Sequence, residues 1–378
     1  MILEELVKIL DKEFNKDYCL DWDNSGLLIG DLKTEIKKLI ISLDANDSVT
    51  SEALKLKADL IFSHHPLILN PIKNITSGNP QGRTILKAVQ NKIAVYCAHT
   101  NYDIMEGGLN DYIASLLDLE NISCIIPNQP EWFKFAVYAP AGYEGKIRNA
   151  ICNSGGGNWK DYSCATFKTK GTGTFKPGSN SKPFTGEKGE LVFADEVKIE
   201  CIIKAQELEF LLANVLAAHP YEEPAYDIIP MKNILAEGGL GRVGSINKSL
   251  KPEEFLQFVR EKLNITNFKY VFAKNSSIIE KEIKNIAVIN GSINSMVPEI
   301  CNINIDCLIC GEINYHNAQL VSENNTMVIE LGHAESELFA IEDLFSKLSR
   351  LNDSLCLGME IIKSNNNDIL WRYIIGKQ

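Results

Sequence analysis

The sequence predicts an α/β protein made of two similar α/β subdomains around an inserted α+β domain. Three observations lead there. Helical and strand-like patterns alternate over residues 1–127, and the same style returns over 234–378. The stretch 128–233 has a different texture, rich in Gly, Pro and polar turn formers.

In the first segment, Ile2 to Phe14 sets apolar residues at helical spacing, and KLIISL (Lys38 to Leu43) reads as a buried strand. Ser48 to Lys57 predicts a helix, Asp59 to Ser63 a strand, Gly82 to Asn91 a helix and Lys92 to Ala98 a strand. Strands separated by helices imply a largely parallel sheet covered on both faces. In the middle, NSGGGNWKDYS, KGTGTFKPGSNSKPFTGEKG and HPYEEP surround short β-like runs such as VKIECII. After EGGLGRVG (237–244), Pro252 to Leu263 predicts a helix, and Lys284 to Ile289 and Cys307 to Cys310 predict strands. Asn314 to Glu323 is helical, Thr326 to Leu331 a strand, and Glu335 to Leu348 a long amphipathic helix. Two similar flanks around a different middle indicate an insertion.

With 378 residues the chain exceeds what one core serves, and 45% hydrophobic with 23% charged residues is ordinary for a globular protein. No stretch approaches the roughly 20 apolar residues of a spanning helix, so membrane association is not expected. The start, MILEELVKILDKEF, lacks the basic lead and apolar core of a secretory signal, which predicts a cytoplasmic protein. The ten cysteines are scattered, so they are expected as thiols, most of them small buried hydrophobes. Net charge is −11 with no long Lys/Arg run, which argues against nucleic acid as a partner.

Of only six histidines, His64 and His65 are adjacent at the end of the apolar run ADLIFSHHP. The carboxyl ends of strands line the crevice of an open α/β sheet, where ligands and metals are held. Adjacent residues on a strand face opposite ways, but Pro66 forces a turn that lets both rings reach one site. The next strand ends in HTNYD, with His99 and Asp103 at the neighbouring edge. MVIELGHAESELF places His333 and Glu337 four apart, on one face of a helix start. Two to three imidazoles and two carboxylates form the mixed ligand set that Zn, Fe, Mn or Ni accept. One catalytic zinc generally uses three protein ligands, whereas two ions sharing a carboxylate use all five.

Plainer readings exist for each piece. A histidine doublet alone is more often capping or hydrogen-bonding material, and His333 with Glu337 also fits an ordinary helix N-terminus. The coincidence of three junctions favours metal. Cys307 and Cys310 read as packing thiols, and GGLGRVG as a close backbone turn near the site. His219 with Glu222, Glu223 and Asp227 reads as structural support of the insert. Glu312, Tyr315 and His316 follow a strand end, where they cap a helix or supply a proton.

WDNSGLLIGD (22–31), FSHHP (62–66), AHTNYD (98–103), GGLGRVG (238–244), CGEINYHNA (310–318) and GHAESE (332–337) occur in this order along nearly the whole chain. In these stretches the chain resembles the GTP cyclohydrolase 1 type 2 homologues, also called the NGG-one-interacting-factor-three-like family. The resemblance implies a dinuclear metal centre with ligands at His64, His65, Asp103, His333 and Glu337, the last carboxylate bridging. It also implies a toroidal homohexamer, and a 128–233 insert similar to the PII/CutA type, a ferredoxin-like module. Tyr102 stands where Leu is common, and Glu312, Asn314 and Asn317 where Asp, Lys and Asp are frequent.

The resulting expectation is two divalent ions per subunit, zinc first and iron, manganese or nickel as alternatives. The expected activity is metal-dependent hydrolysis of a small molecule or nucleotide, GTP cyclohydrolase-like by resemblance, with His99 and His316 relaying protons. The alternative is a non-catalytic metal-binding or regulatory scaffold with a ligand-sensing insert.

Overall fold

The computed structural model describes residues 1–128, 131–159, 161–233, 238–274 and 282–367. The boundary expected at 233/234 and the Glu that opens EGGLGRVG lie outside the described residues. The chain divides into two compact units, one comprising Met1–Asn128 with Glu237–Gln378 and the other Gln129–Ala236.

Local sequence explains where elements start. Helix α1 (Leu3–Glu13) forms because Leu3, Leu6 and Leu10 recur on one face, and all three are buried. After β1 (Gly26–Ile29) and β2 (Lys38–Ser42), the Asn46 side chain caps α2 (Asp47–Leu56) by accepting from the amides of Ser48 and Val49. After β3 (Leu60–Ser63), Asn79 caps α3 (Pro80–Gln90), whose first-turn proline needs no amide partner. Then come β4 (Ala94–Cys97), the short α4 (Thr100–Ile104), α5 (Leu109–Leu116) and β5 (Glu120–Pro127).

The second unit contributes β6 (Trp132–Pro140), α6 (Glu144–Asn153), β7 (Thr166–Phe175), β8 (Val192–Lys204), α7 (Ala205–Ala218) and β9 (Tyr226–Pro230). Its four strands form an antiparallel sheet in the order β7-β8-β6-β9. Alternate residues of β6 and β8, including Phe135, Val137, Ile199 and Cys201, pack with Ile147 and Ile151 of α6 and Leu211 and Val215 of α7. Cys152 and Cys164, with Cα atoms 4.9 Å apart, form a disulfide, so these two depart from the expected thiols. Cys97, Cys201, Cys307 and Cys310 are buried thiols.

The first unit resumes with β10 (Gly239–Leu250), α8 (Pro252–Lys262), β11 (Lys269–Val271), β12 (Ile283–Ser292), α9 (Val297–Ile300) and β13 (Cys307–Glu312). It ends with α10 (Tyr315–Glu323), β14 (Met327–Glu330), α11 (His333–Glu337), α12 (Phe339–Ser354) and β15 (Glu360–Lys363). The helix expected over Glu335 to Leu348 thus starts earlier, is interrupted at Leu338 and runs further.

Two sheets organise this unit. One has the order β1-β4-β3-β2-β15, with β4, β3, β2 and β15 parallel and β1 antiparallel at the edge. The other has the order β11-β14-β13-β12-β10-β5, with only β12, β13 and β14 parallel. Strand exchange ties them together: β15, from the end of the chain, pairs with β2, and β5, from its first third, pairs with β10. Neither sheet is therefore drawn from one flank alone. No helix among the described residues is long and apolar enough to cross a membrane.

Candidate metal centre

The parallel strands β2, β3 and β4 end side by side, and the site begins at their carboxyl edge. The ladder continues past β3, with His64 N bonded to Ser42 O at 3.1 Å and His65 N to Leu43 O at 2.8 Å. The doublet is thereby fixed by backbone, and its ring centroids lie 5.3 Å apart. His64 is fully buried, whereas the His65 side chain is 22% exposed.

Glu337 reaches these rings from α11. Its Oε2 lies 2.8 Å from His65 Nε2 and 3.4 Å from His333 Nε2, while its Oε1 lies 3.9 Å from His64 Nε2. Each carboxylate oxygen thus addresses a different member of the doublet. Glycines make the approach possible: Gly332 has φ +105° where β14 turns into α11, and a Cβ on Gly291 (φ +61°) would stand 2.8 Å from Glu337 Oε1. Ser336 Oγ accepts the Gly291 amide at 3.1 Å, holding α11 against β12.

Asp103 enters from α4. Its Oδ1 lies 3.7 Å from His64 Nε2 and accepts from Asn290 Nδ2 at 2.8 Å. Asn110 in turn bonds Asn290 through both its amide oxygen and its Nδ2, at 3.0 and 2.7 Å.

One pattern runs through four imidazoles. His64 Nδ1 faces Ala98 O at 2.9 Å, His65 Nδ1 faces Asp44 at 2.9 Å, His99 Nδ1 faces Asp23 at 2.8 Å and His333 Nδ1 faces Glu312 at 3.1 Å. An acceptor at Nδ1 draws a proton there and turns Nε2 toward the site, the arrangement that orients metal-binding histidines. His64 Nε2 is buried with no hydrogen-bond partner among the described residues, which is costly for a polar atom and fits a metal ligand.

The electrostatics agree with that reading. Burial holds His64 down to about 3, against the pull of Glu337, so its ring is neutral. Burial by itself lowers His65 too, but Asp44 and Glu337 outweigh it and raise that ring to about 10. Burial, then the charge of Glu337, pushes Asp103 up to about 7. Burial opposes ionisation of Glu337 as well, yet the His65 hydrogen bond and the neighbouring imidazoles bring it down to about 2. A concentration of oppositely shifted groups marks a site built for charge.

His64, His65, Asp103, His333 and Glu337 therefore lie together, and the ligand atoms of His65, His333 and Glu337 fall within 4.8 Å of one another. His99 joins His64 and His65 in a second such group, its ring 5.4 and 5.7 Å from theirs. His316 stands exposed at the start of α10 against Tyr315, and no ring contact among the described residues joins it to the other four. His219 points both nitrogens at backbone, Nε2 to Tyr138 O and Nδ1 to the Tyr221 amide.

Sequence reasoning missed the supports. Asp23, Asp44, Asn110, Asn290 and Gly291 lie outside the junctions that drew attention, and only their three-dimensional contacts single them out. WDNSG offered one clue, an acid beside Gly26 in a stretch with no obvious packing role.

The family model for Duf34/NIF3 (NGG1p interacting factor 3) matches residues 1–368. A Halalkalibacterium halodurans protein named GTP cyclohydrolase 1 type 2 homolog is 32% identical over 363 residues, covering 96% of each chain. A Bacillus subtilis protein of the same name is 33% identical over 365 residues, again with 96% of each covered. Among solved structures, a Bacillus cereus protein related to NIF3 aligns with TM-score 0.68 at 29% identity over 99% of both chains. A Staphylococcus aureus protein aligns with TM-score 0.76 at 27% identity, also over 99% of both. The chain belongs to the Duf34/NIF3 family.

Proposed function

We propose that the chain is a hydrolase built around two divalent ions, with zinc the first candidate and iron, manganese or nickel the others. His64 and Asp103 would hold one ion and His65 and His333 the second, with Glu337 contributing to both. The observation that carries this reading is the orphaned Nε2 of His64, facing two carboxylates from beyond hydrogen-bond distance. Paired ions lower the pKa of water and polarise carbonyl or phosphoryl groups, which is the chemistry of hydrolysis.

The chain's own groups supply the rest. Asp23 fixes the His99 ring, whose Nε2 is then free to take and return a proton beside His64 and His65. His316 is a second candidate for exchanging protons with solvent. The His333 side chain, 43% exposed, marks the side from which a substrate enters. The relatives' name adds nucleotides, GTP among them, to the small molecules considered. The proposal includes the homohexamer, the cytoplasmic location and the PII/CutA-like character of the insert.

Elemental analysis of the purified protein tests the centre, with two ions per chain expected and one or none in Asp103→Ala and Glu337→Ala. Retention of both ions in these variants would overturn the ligand assignment. A screen of nucleotides, phosphodiesters and cyclic amides tests the reaction. Full metal with no turnover of any substrate would replace the hydrolase with a metal-binding scaffold. Light scattering on the same sample tests the hexamer.

A further inference from the structure

We propose that the second unit carries a site for a small organic cation, an alkylammonium group held among Phe175, Phe184 and Tyr221 with the carboxylate of Glu196 beside it. The cleft they line holds about 360 Å3, within the range of small-ligand sites. It lies within this unit alone, so the inference stands apart from the metal reading.

The rings surround one space. Tyr221 is central, with the Phe184 centroid 5.8 Å away at 47° and the Phe175 centroid 6.3 Å away at 56°. Three tilted rings at these separations let one cation lie within about 6 Å of several π faces, the geometry of ammonium cages. Tyr138 also lines the cleft, but its ring already carries Lys198 Nζ at 5.8 Å.

The charge has the matching sign. Glu196, Glu222 and Glu223 line the cleft against a single ammonium, that of Lys182. Among the described residues no lysine or arginine pairs with Glu196; its partner is the Tyr221 hydroxyl, which donates to it at 3.0 Å. Burial, then that carboxylate, raises the Tyr221 phenol to about 12, so it stays a donor at neutral pH. Gly173 gives the carboxylate its room, since a Cβ there would stand 2.1 Å from Glu196 Oε2.

The cleft is built rather than incidental. Glu222 accepts the Lys182 amide at 2.8 Å, and the Gly189 amide bonds Pro177 O at 2.9 Å. These bonds close the loop between β7 and β8, where Phe184, 49% exposed, packs against Tyr221 and, edge-on, against Tyr143. An apolar ring pinned in that position contributes little to the unit's core, which lies among other residues.

Calorimetric titration of the full-length, metal-loaded protein with choline chloride and with its neutral tert-butyl isostere decides the matter. Choline is expected to bind at least about tenfold more tightly, because only it gains cation–π and carboxylate attraction. Glu196→Gln, which keeps an acceptor for Tyr221, and Phe184→Leu, which keeps bulk but loses the π face, should each weaken choline about tenfold. Glu196→Gln should leave the isostere unchanged. Equal affinity for the two compounds would make the cleft a plain apolar surface and overturn the proposal. So would the failure of choline, tetramethylammonium and guanidinium alike to bind the wild-type chain, a result that needs no variant to fold.

Discussion

The buried Nε2 of His64 lies 3.7 Å from Oδ1 of Asp103, too far for a hydrogen bond and within the span of two ~2.1 Å bonds to one shared ion. Without that ion the arrangement is costly, because burial and the charge of Glu337 raise Asp103 to about 7. The unfolded carboxyl titrates near 3.9. At Asp103, folding of the metal-free chain therefore takes up a proton between these values, and this group's contribution to stability is lost as pH rises through about 7, while His64, held down to about 3, acts with the opposite sign. Asp103→Asn removes the charge and keeps an acceptor for Asn290. The metal-free variant should be more stable than the metal-free parent by roughly 1–3 kcal/mol at pH above about 8, with little difference near pH 4. Urea titrations with chelator at both pH values measure this, and elemental analysis should show lost metal. An Asp103→Asn variant that gains no stability over the parent between about pH 4 and 8 would contradict the argument.

The individual strands and helices were largely readable because apolar periodicity and caps are local signals. KLIISL, LIFS and AVYC became neighbouring parallel strands, and their ends carry the histidine doublet and HTNYD. The exchange of β5 and β15 was not readable, since strand pairing across roughly 110 residues in one case and 320 in the other leaves no local trace. The ligands stood out because histidine is rare in this chain and collects at strand ends. Their supports did not: an aspartate at 23 or 44 and an asparagine at 290 look like any surface polar residue until their partners are known. Arg242, inside GGLGRVG, is a similar case. It is buried and clamps Asp111 through Nε and Nη2 at 2.6 and 2.7 Å, where the glycines alone suggested only a close turn.

Metal should compete with a proton at His65. With no ion present, Asp44 and Glu337 overcome burial and hold that ring protonated up to about 10. A ligating imidazole must be neutral, so binding expels this proton throughout the neutral range. Zinc affinity is expected to rise close to tenfold per pH unit between about pH 6 and 8 from this group alone. Calorimetry of zinc binding in buffers of different ionisation enthalpy should report release of about one proton or more per chain. A pH-independent affinity with no proton release would remove His65 from the ligand set.

Asp23 should act through His99. Its carboxylate accepts from His99 Nδ1, from the Thr100 amide and from the Thr100 hydroxyl, and these bonds hold its pKa well below the usual range despite burial. Asp23→Asn leaves the five proposed ligands untouched and should keep the metal content. It releases the ring, so nitrogen NMR should show His99 passing from a single Nδ1–H tautomer to a mixture. Turnover of any substrate found by screening should fall roughly 10–100-fold. Loss of the ions in this variant would instead make His99 a ligand.

Gly291 separates backbone strain from access to the site. At φ +61° an alanine costs about 1–2 kcal/mol, and its Cβ would also stand 2.8 Å from Glu337 Oε1. Gly107, in the loop before α5, has φ +71° with open space around the same atom. Both Gly291→Ala and Gly107→Ala should therefore lose similar stability in chemical denaturation. Only Gly291→Ala displaces the carboxylate that both imidazoles of the doublet face, and its zinc affinity should fall by roughly 10–100-fold while Gly107→Ala keeps the parent value. If the two variants lose affinity alike, the loss follows general destabilisation, and the Glu337 carboxylate is not held in place by the gap at Gly291.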